Sequence, residues 1–377
     1  GCWLHIYTGT DSDERTAYRA DLDWFLGRHS LRAGGDVAAQ VHALEADAIC
    51  CGVGALTRLG HARAARRDYI SRDDLNRLKT FRILPNLVKM PLFFGAMVLL
   101  TWLAWTTESS LLKWSAYLGL GYLWMSIVTF MHDATHNTLF EKPWKNWAFG
   151  IISMIPLMAS FISFKEDHME HHRYNRSPKD PDAFTMGRRG VLDFVAFYGY
   201  ILAGAVLSFV HFNFIYPIQH FNARKWAILL FETLLKIACY WALLAWAQKH
   251  GVLGKTLEVW LVPVYIFSLF NSIRFIAEHY ETPWNQGQLV GSRTVISNPL
   301  HSFFWNNINW HIGHHIYPTV PWYNLIELHR LMKPAIEAEG AIVEKSYTGV
   351  FLRALRRVPE SEERLARVLE KRGTAAA

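Results

Sequence analysis

Eighteen histidines stand in this chain of 377 residues, and eight of them fall into three short groups. His132 and His136 make an HxxxH pattern; His168, His171 and His172 make an HxxHH pattern, and His311, His314 and His315 make another. At this histidine frequency chance supplies roughly 0.04 HxxHH patterns in such a length, so two of them are a signal. On a helix, positions i, i+3 and i+4 share a face, and each group projects its imidazoles in one direction. Neutral imidazole binds first-row transition metals, and eight ligands exceed the roughly four to six that one ion accepts. Two metal ions are the natural count.

The elements that must hold these groups are apolar. Hydrophobic residues make up 51% of the chain and charged residues 19%, with the charge confined to blocks between long apolar runs. Residues 90–131 carry only Glu108 and Lys113, set together between two runs, which predicts a tight hairpin of spans at 88–107 and 111–131. Each run approaches the ~20 residues that cross a hydrocarbon core. The run 226–248 contains Glu232 and Lys236, four residues apart in the order that pairs them on one helix face. Many aromatics lie near run ends (Trp102, Trp105, Trp114, Trp144, Trp226, Trp246), as in the aromatic belts of bilayer proteins.

The requirement that all the histidines share one side of the membrane constrains topology. The run 147–164 lies between His136 and His168, so it must enter and leave on one face or lie in the interface. The runs 226–248 and 257–278 are joined by a short polar link and form the second expected hairpin. The run 191–218, broken by Asp193, Gly199, Gly204, His211, Asn213 and Pro217, is then interfacial or re-entrant. The fold expected is all-α and integral to the membrane, with about four transmembrane helices in two hairpins and a cytosolic helical cap carrying the three boxes. Residues 1–84 are read as a cytosolic extension, 85–345 as the membrane domain and 346–377 as a charged cytosolic tail. Within the extension, 71–83 reads as an amphipathic helix capped by Ser71 with Asp73 and Asp74 in its first turn. Residues 1–65 have no sustained pattern and are assigned no function. The chain opens on Gly1 without a cleavable leader, so a truncated or artificially extended start is expected, with the first span acting as the membrane signal.

Composition also excludes classes. Cys2, Cys50, Cys51 and Cys239 form no CxxC pair, so neither a structural zinc site nor an iron–sulfur cluster is encoded. The net charge of +7 is concentrated just before the first span, in residues such as Arg72, Arg77, Lys79, Arg82 and Lys89. The positive-inside rule explains that cluster without nucleic acid and puts the N-terminus in the cytoplasm.

Four stretches carry a resemblance: MHDATHNTLF at 131–140, DHMEHHRYNRSPKDPDAF at 167–184, RFIAEHYETP at 274–283 and NWHIGHHIYPTVPWYNLIELH at 309–329. Over 85–345 the chain resembles the integral-membrane fatty acid desaturases, within the wider desaturase and hydroxylase superfamily. The resemblance implies a di-iron centre at the cytosolic ends of the spans, with His132, His136, His168, His171, His172, His311, His314 and His315 as ligands. His279, after the last span, matches a ninth histidine typical of the family. It further implies an O2-dependent oxidoreductase that introduces a C=C bond into the acyl chain of a membrane lipid or other acyl substrate. The third box begins with His311 rather than Gln and no HPGG motif is present, so the subtype fused to cytochrome b5 is not expected. No flavin or cluster motif is present either, which calls for an external ferredoxin- or cytochrome b5-type electron donor on the cytosolic face. Carotenoid or other lipid hydroxylases and ketolases share similar boxes and remain an alternative. An intramembrane zinc hydrolase is more remote, since there is no HExxH and the histidines outnumber a three-ligand zinc site. A non-enzymatic metal-binding or transport role would need polar groups inside the spans, whereas these histidines cluster at span ends.

Liganding imidazoles commonly donate their second N–H to a carboxylate or carbonyl. Asp133, Asp167, Glu170 and Glu278 adjoin the box histidines and are candidates for that role, as well as for solvated acids at helix ends. Asn271, Asn307 and Asn309 are weaker candidates for orienting a ligand or water. His301 and His329 flank the third box without a partner at helical spacing, and His211, His220 and His250 are read as structural or exposed.

Overall fold

The computed structural model describes residues 68–177, 179–181, 191–283 and 285–356, and it is almost entirely helical. The expectations for residues 1–65 and for the charged run after 356 lie outside the described residues. Helix α1 (Arg72–Lys79) begins as its sequence predicts, with Ser71 Oγ accepting from Asp74 N at 3.1 Å, and it seats Leu78 in a core shared with the third histidine box.

Helices α2 (Leu84–Thr106) and α3 (Ser110–Thr135) form the first hairpin, joined through Thr107 and the Ser109 cap. The second hairpin pairs α8 (Ala223–Lys249) with α9 (Leu253–His279). Its link is short because Gly251 takes φ +68°, while Gly251 N reaches Gln248 O and Val252 N reaches Ala247 O, which closes both last carbonyls in a Schellman turn.

Among the described residues four helices are long and apolar enough to cross a membrane, and three of them are expected spans. They are Leu84–Thr106, Tyr198–His220, Ala223–Lys249 and Leu253–His279. Helix α3 is long enough, yet its Tyr, Trp, Gly, Ser and Thr residues dilute its hydropathy. It is the inner helix, packed on α2 and α9 and buried without a break from Met125 to Thr135. Conversely, the run expected to be interfacial is helix α6 (Val191–Val210), continued by a π turn (His211–Ile215) into α7 (Tyr216–His220). Two irregularities absorb the residues that looked like breaks: Ala203 leaves helical geometry, and Tyr216 N bonds His211 O, so Pro217 enters a helix that has already widened. Its Asn213 is satisfied internally, donating to Met158 O and Phe209 O and accepting from Lys236.

The run 147–164 does not form one span. It splits into α4 (Pro143–Met154), a turn with Met158 at φ +58°, and α5 (Phe161–Tyr174), which carries the second box. The turn is tied down by the two charges expected to pair with each other. Glu232 instead accepts from Ser160 Oγ, Phe161 N and Ile162 N at 2.8 to 3.0 Å, capping α5 from another helix. Lys236 donates to Ala159 O and Asn213 Oδ1. The orphan N–H groups and positive end of α5 attract the carboxylate, and that outweighs an i,i+4 pair.

The third box sits on a short helix, α11 (His311–Ile316), after α10 (Pro299–Phe304) and before α12 (Leu325–Ala338). A two-residue parallel bridge, β1 (Thr294–Val295) with β2 (Val343–Glu344), returns the chain to the end of α9. There α13 (Tyr347–Arg356) packs Val350 and Ala354 against Ile276, Ala277 and Tyr280.

Candidate metal centre

All nine histidines singled out in the sequence converge. His132 and His136 come from the last turn and cap of α3, His168, His171 and His172 from one face of α5, His279 from the last position of α9, and the rest from α11. They divide into two groups. In the first, one nitrogen each from His132, His136, His168, His172 and His314 lies within 4.8 Å of all the others. Within it Nε2 of His168 is 2.9 Å from that of His136 and 3.1 Å from that of His172, which is 3.0 Å from that of His314. In the second, Nε2 atoms run from His171 to His279 (3.2 Å), from His279 to His311 (3.0 Å) and from His311 to His315 (3.0 Å), with a Glu278 oxygen 3.6 Å from His311. The stacked rings of His172 and His315, centroids 4.4 Å apart, join the groups.

The protons decide what this arrangement can hold. His279 Nδ1 donates to Gly291 O at 3.1 Å, and His171 Nδ1 to Asp180 at 2.9 Å. His315 Nδ1 lies 3.2 Å from Gln288 Oε1, whose amide nitrogen donates to His172 O and so fixes the oxygen toward His315. A neutral ring with its proton on Nδ1 presents a bare lone pair at Nε2. Burial holds His311, His314, His315, His136, His168 and His172 well below the ordinary histidine value, and neighbouring imidazoles add to the effect. With their Nδ1 atoms so engaged, His171, His279 and His315 turn their Nε2 atoms toward one another. Both nitrogens of His132, and Nδ1 of His136, His172 and His311, find no hydrogen-bond partner among the described residues. Converging bare nitrogens in a buried pocket repel one another unless a cation lies among them, so these residues fit metal ions of the class that imidazole binds.

The outer partners differ from those the sequence suggested. Asp133 accepts from Asn306 at 2.6 Å and approaches His132 only to 3.7 Å. Asp167 accepts from His211 at 2.8 Å and Glu170 from Tyr216 at 3.0 Å, so neither carboxylate orients a box histidine. Glu278 is held by Arg274 at 2.7 Å and faces His311. The orienting groups that sequence reasoning did not single out are Asp180, Gln288 and the Gly291 carbonyl. Asp180 lies within the stretch after the second box, a signal that could have found it; nothing in the sequence marks the other two. Asn307 and Asn309 donate to the Trp322 and Val295 carbonyls and brace the loop before α11. Asn306 carries more than either, since it also accepts from Lys89, whose ammonium lies 4.1 Å from the centre of the Trp322 ring. His301 bonds Tyr122 and burial pushes it down to about 4, while His329 packs against Trp310 with the rings tilted by 56°. His220 stacks on Tyr216, His250 is exposed, and His211 departs from its structural reading by lining a cavity.

That cavity, of about 320 Å³, reaches His132, His168, His171, His279 and His311, and Val128, Phe164, Leu207, Phe212, Ile215 and Phe275 give it apolar walls.

The sequence matches the family described as fatty acid desaturase over residues 108–346, more than half of the chain, and the protein belongs to that family. With its four long apolar helices it is a membrane protein. It is 25% identical over 217 residues to the sn-1 oleoyl-lipid 12-desaturase of Arthrospira platensis, covering 52% of this chain and 60% of that protein. It is 23% identical over 284 residues to an sn-1 acyl-lipid omega-3 desaturase (ferredoxin) of a Nostoc strain, covering 67% and 77%. A ceramide hydroxylase of Caulobacter vibrioides is 25% identical over 281 residues, covering 63% and 79%.

Proposed function

We propose that the protein is an O2-dependent membrane fatty acyl desaturase that introduces a C=C bond beside two histidine-held irons. One ion would be held by His132, His136, His168, His172 and His314, the other by His171, His279, His311 and His315. When bound, two irons supply the activation of O2 needed to remove hydrogen from an unactivated C–H bond. The observation that carries this reading is the convergence of nine imidazoles, five of which line a cavity with apolar walls. The chain's own part is positional. Val128, Phe164, Phe212 and Phe275 exclude water from the reacting carbons, while Asp180, Gln288 and the Gly291 carbonyl hold protons on the Nδ1 atoms so that Nε2 stays available.

Residues 85–345 form the working membrane domain in this reading, with its active face in the cytoplasm. The basic residues before α2 support that orientation through the positive-inside rule. Electrons come from a separate ferredoxin- or cytochrome b5-type donor, and likeness to a relative named for ferredoxin supports such a donor. Likeness to a ceramide hydroxylase favours a second reading in which oxygen is inserted to give an alcohol.

The test is a GC–MS profile of total lipids from a membrane host with a competent donor expressing the chain, beside its His171→Ala variant. A new unsaturated acyl chain, absent from the variant, is expected. Hydroxylated or keto lipids would replace desaturation by the second reading, and an unchanged profile with donor and iron both present would overturn both.

A further inference from the structure

The cavity at the metal centre is not apolar all round. On α9, Asn271, Arg274 and Glu278 follow at i, i+3 and i+7, share one face and all line the cavity. Arg274 Nη1 donates to both Glu278 oxygens at 2.8 and 2.7 Å, Arg274 Nε lies 3.4 Å from Asn271 Oδ1, and Asn271 Nδ2 lies 3.4 Å from Tyr200 Oη. Among the described residues the Arg274 bonds run through Nε and Nη1, on a side chain that is only 14% exposed and lines the cavity. Ser208 and the Asp167-bound His211 add polar groups from α6 and the π turn. A cavity that received only methylenes would have no use for this stripe. Ionisable groups inside a membrane domain are costly, and they mark a ligand contact or a functional path.

We infer that the lipid oxidised here carries a neutral hydrogen-bond-accepting group, an amide or ester carbonyl or a hydroxyl, close to the reacting carbons, and that Arg274 and Asn271 receive it. This rests on the oxidative reading above and names its substrate class. The pairing selects a neutral group, because a carboxyl, Glu278, already stands against Arg274 at 2.7 Å and leaves room beside it for an acceptor rather than for a second acid. Geometry sets the spacing. Nη1 of Arg274 is 2.7 Å from Glu278 Oε2, and that oxygen is 3.6 Å from His311 Nε2, so the arginine stands no farther from the second histidine group than those two steps together. The accepting group and the reacting carbon both lie on the cavity side of these residues, so a separation of the same order is expected, about six bonds of an extended chain at about 1.2 Å per bond.

Membranes containing the full chain and a competent donor are given amide-linked and ester-linked long-chain lipids, and the position of each new double bond or hydroxyl is mapped by mass spectrometry. A product within about six bonds of the polar oxygen is expected, and the preferred series tells amide from ester. Modification about ten or more bonds from any polar atom would overturn the inference while leaving the oxidative reading intact. Turnover of neither series would count against the oxidative reading, and binding then decides the inference separately. Equilibrium binding of a short N-acyl amino alcohol to the purified full chain is compared with that of an n-alkane of equal length. The polar lipid is expected to bind about tenfold tighter, an advantage lost in Asn271→Leu and Arg274→Gln. Equal binding of both lipids, or an advantage that both variants keep, would overturn it. Iron content equal to that of the parent shows that the variants are folded.

Discussion

The two histidine groups are built from the same elements but restrained differently. In the second, His171, His279 and His315 each have Nδ1 tied to a protein oxygen, and His311 faces Glu278. In the first, Nδ1 of His136 and both nitrogens of His132 find no hydrogen-bond partner among the described residues, and the rings are placed by backbone position and by packing on one another. Three rings of the second group are thus oriented by hydrogen bonds from the protein, whereas His132 and His136 of the first are held by packing. Holding a ring's other nitrogen is what makes an imidazole a preorganised ligand.

Replacing a ligand should have the largest effect in either group. His171→Ala and His172→Ala, adjacent residues that face different groups, are each expected to abolish turnover by GC–MS and to lower bound iron by one ion per chain. Loss of both ions from either variant would break the division into two groups. Asp180→Asn should cost less, about 10–100-fold in activity or metal affinity, because it removes the orienting carboxylate and leaves the ligand. The effect should be confined to the second group, read as weaker retention of one ion during chelator titration. Equal weakening of both would remove the contrast in restraint.

Acid sharpens the comparison further. Burial holds the box imidazoles outside the spans below their unfolded value, so between the two values the unfolded chain binds more protons. Stability therefore falls as pH drops below about 6.5, and the fall should be present in metal-free protein. Thermal unfolding of chelator-treated protein in detergent should show a Tm that declines from about pH 7.5 to about 5. A Tm flat over that range would mean that the imidazoles are not buried in the neutral form.

What could be read from sequence followed from what is local. The three boxes, His279 and the Ser71 cap depend on spacing along one helix or at one helix end, and the structure brings all nine histidines together. The two hairpins follow from the apolar runs. Sequence and structure part where local hydropathy conflicts with tertiary position: α3 is polar enough to look weak yet lies innermost, and Tyr198–His220 is long and apolar although its Asn213 is bonded to its neighbours. Asp180, Gln288 and Gly291 reach the histidines only through loop paths that no periodicity encodes. Glu232 and Lys236 show the same effect, because their best partners lie some seventy residues away on the turn into α5.

Glu232 supplies the smallest predicted effect and a control for the rest. Its carboxylate caps α5, and α5 gives His168 and His172 to one group and His171 to the other. Glu232→Gln keeps the size and one acceptor oxygen but removes the charge from the helix N-terminus, a change of about 1–2 kcal/mol for a buried cap. A lowered Tm is expected, with chelator titration showing both ions released slightly earlier and to the same extent. If one ion were affected and the other not, α5 would not be moving as a unit, and the difference between the groups would have to come from how that helix is placed rather than from the partners of the Nδ1 atoms.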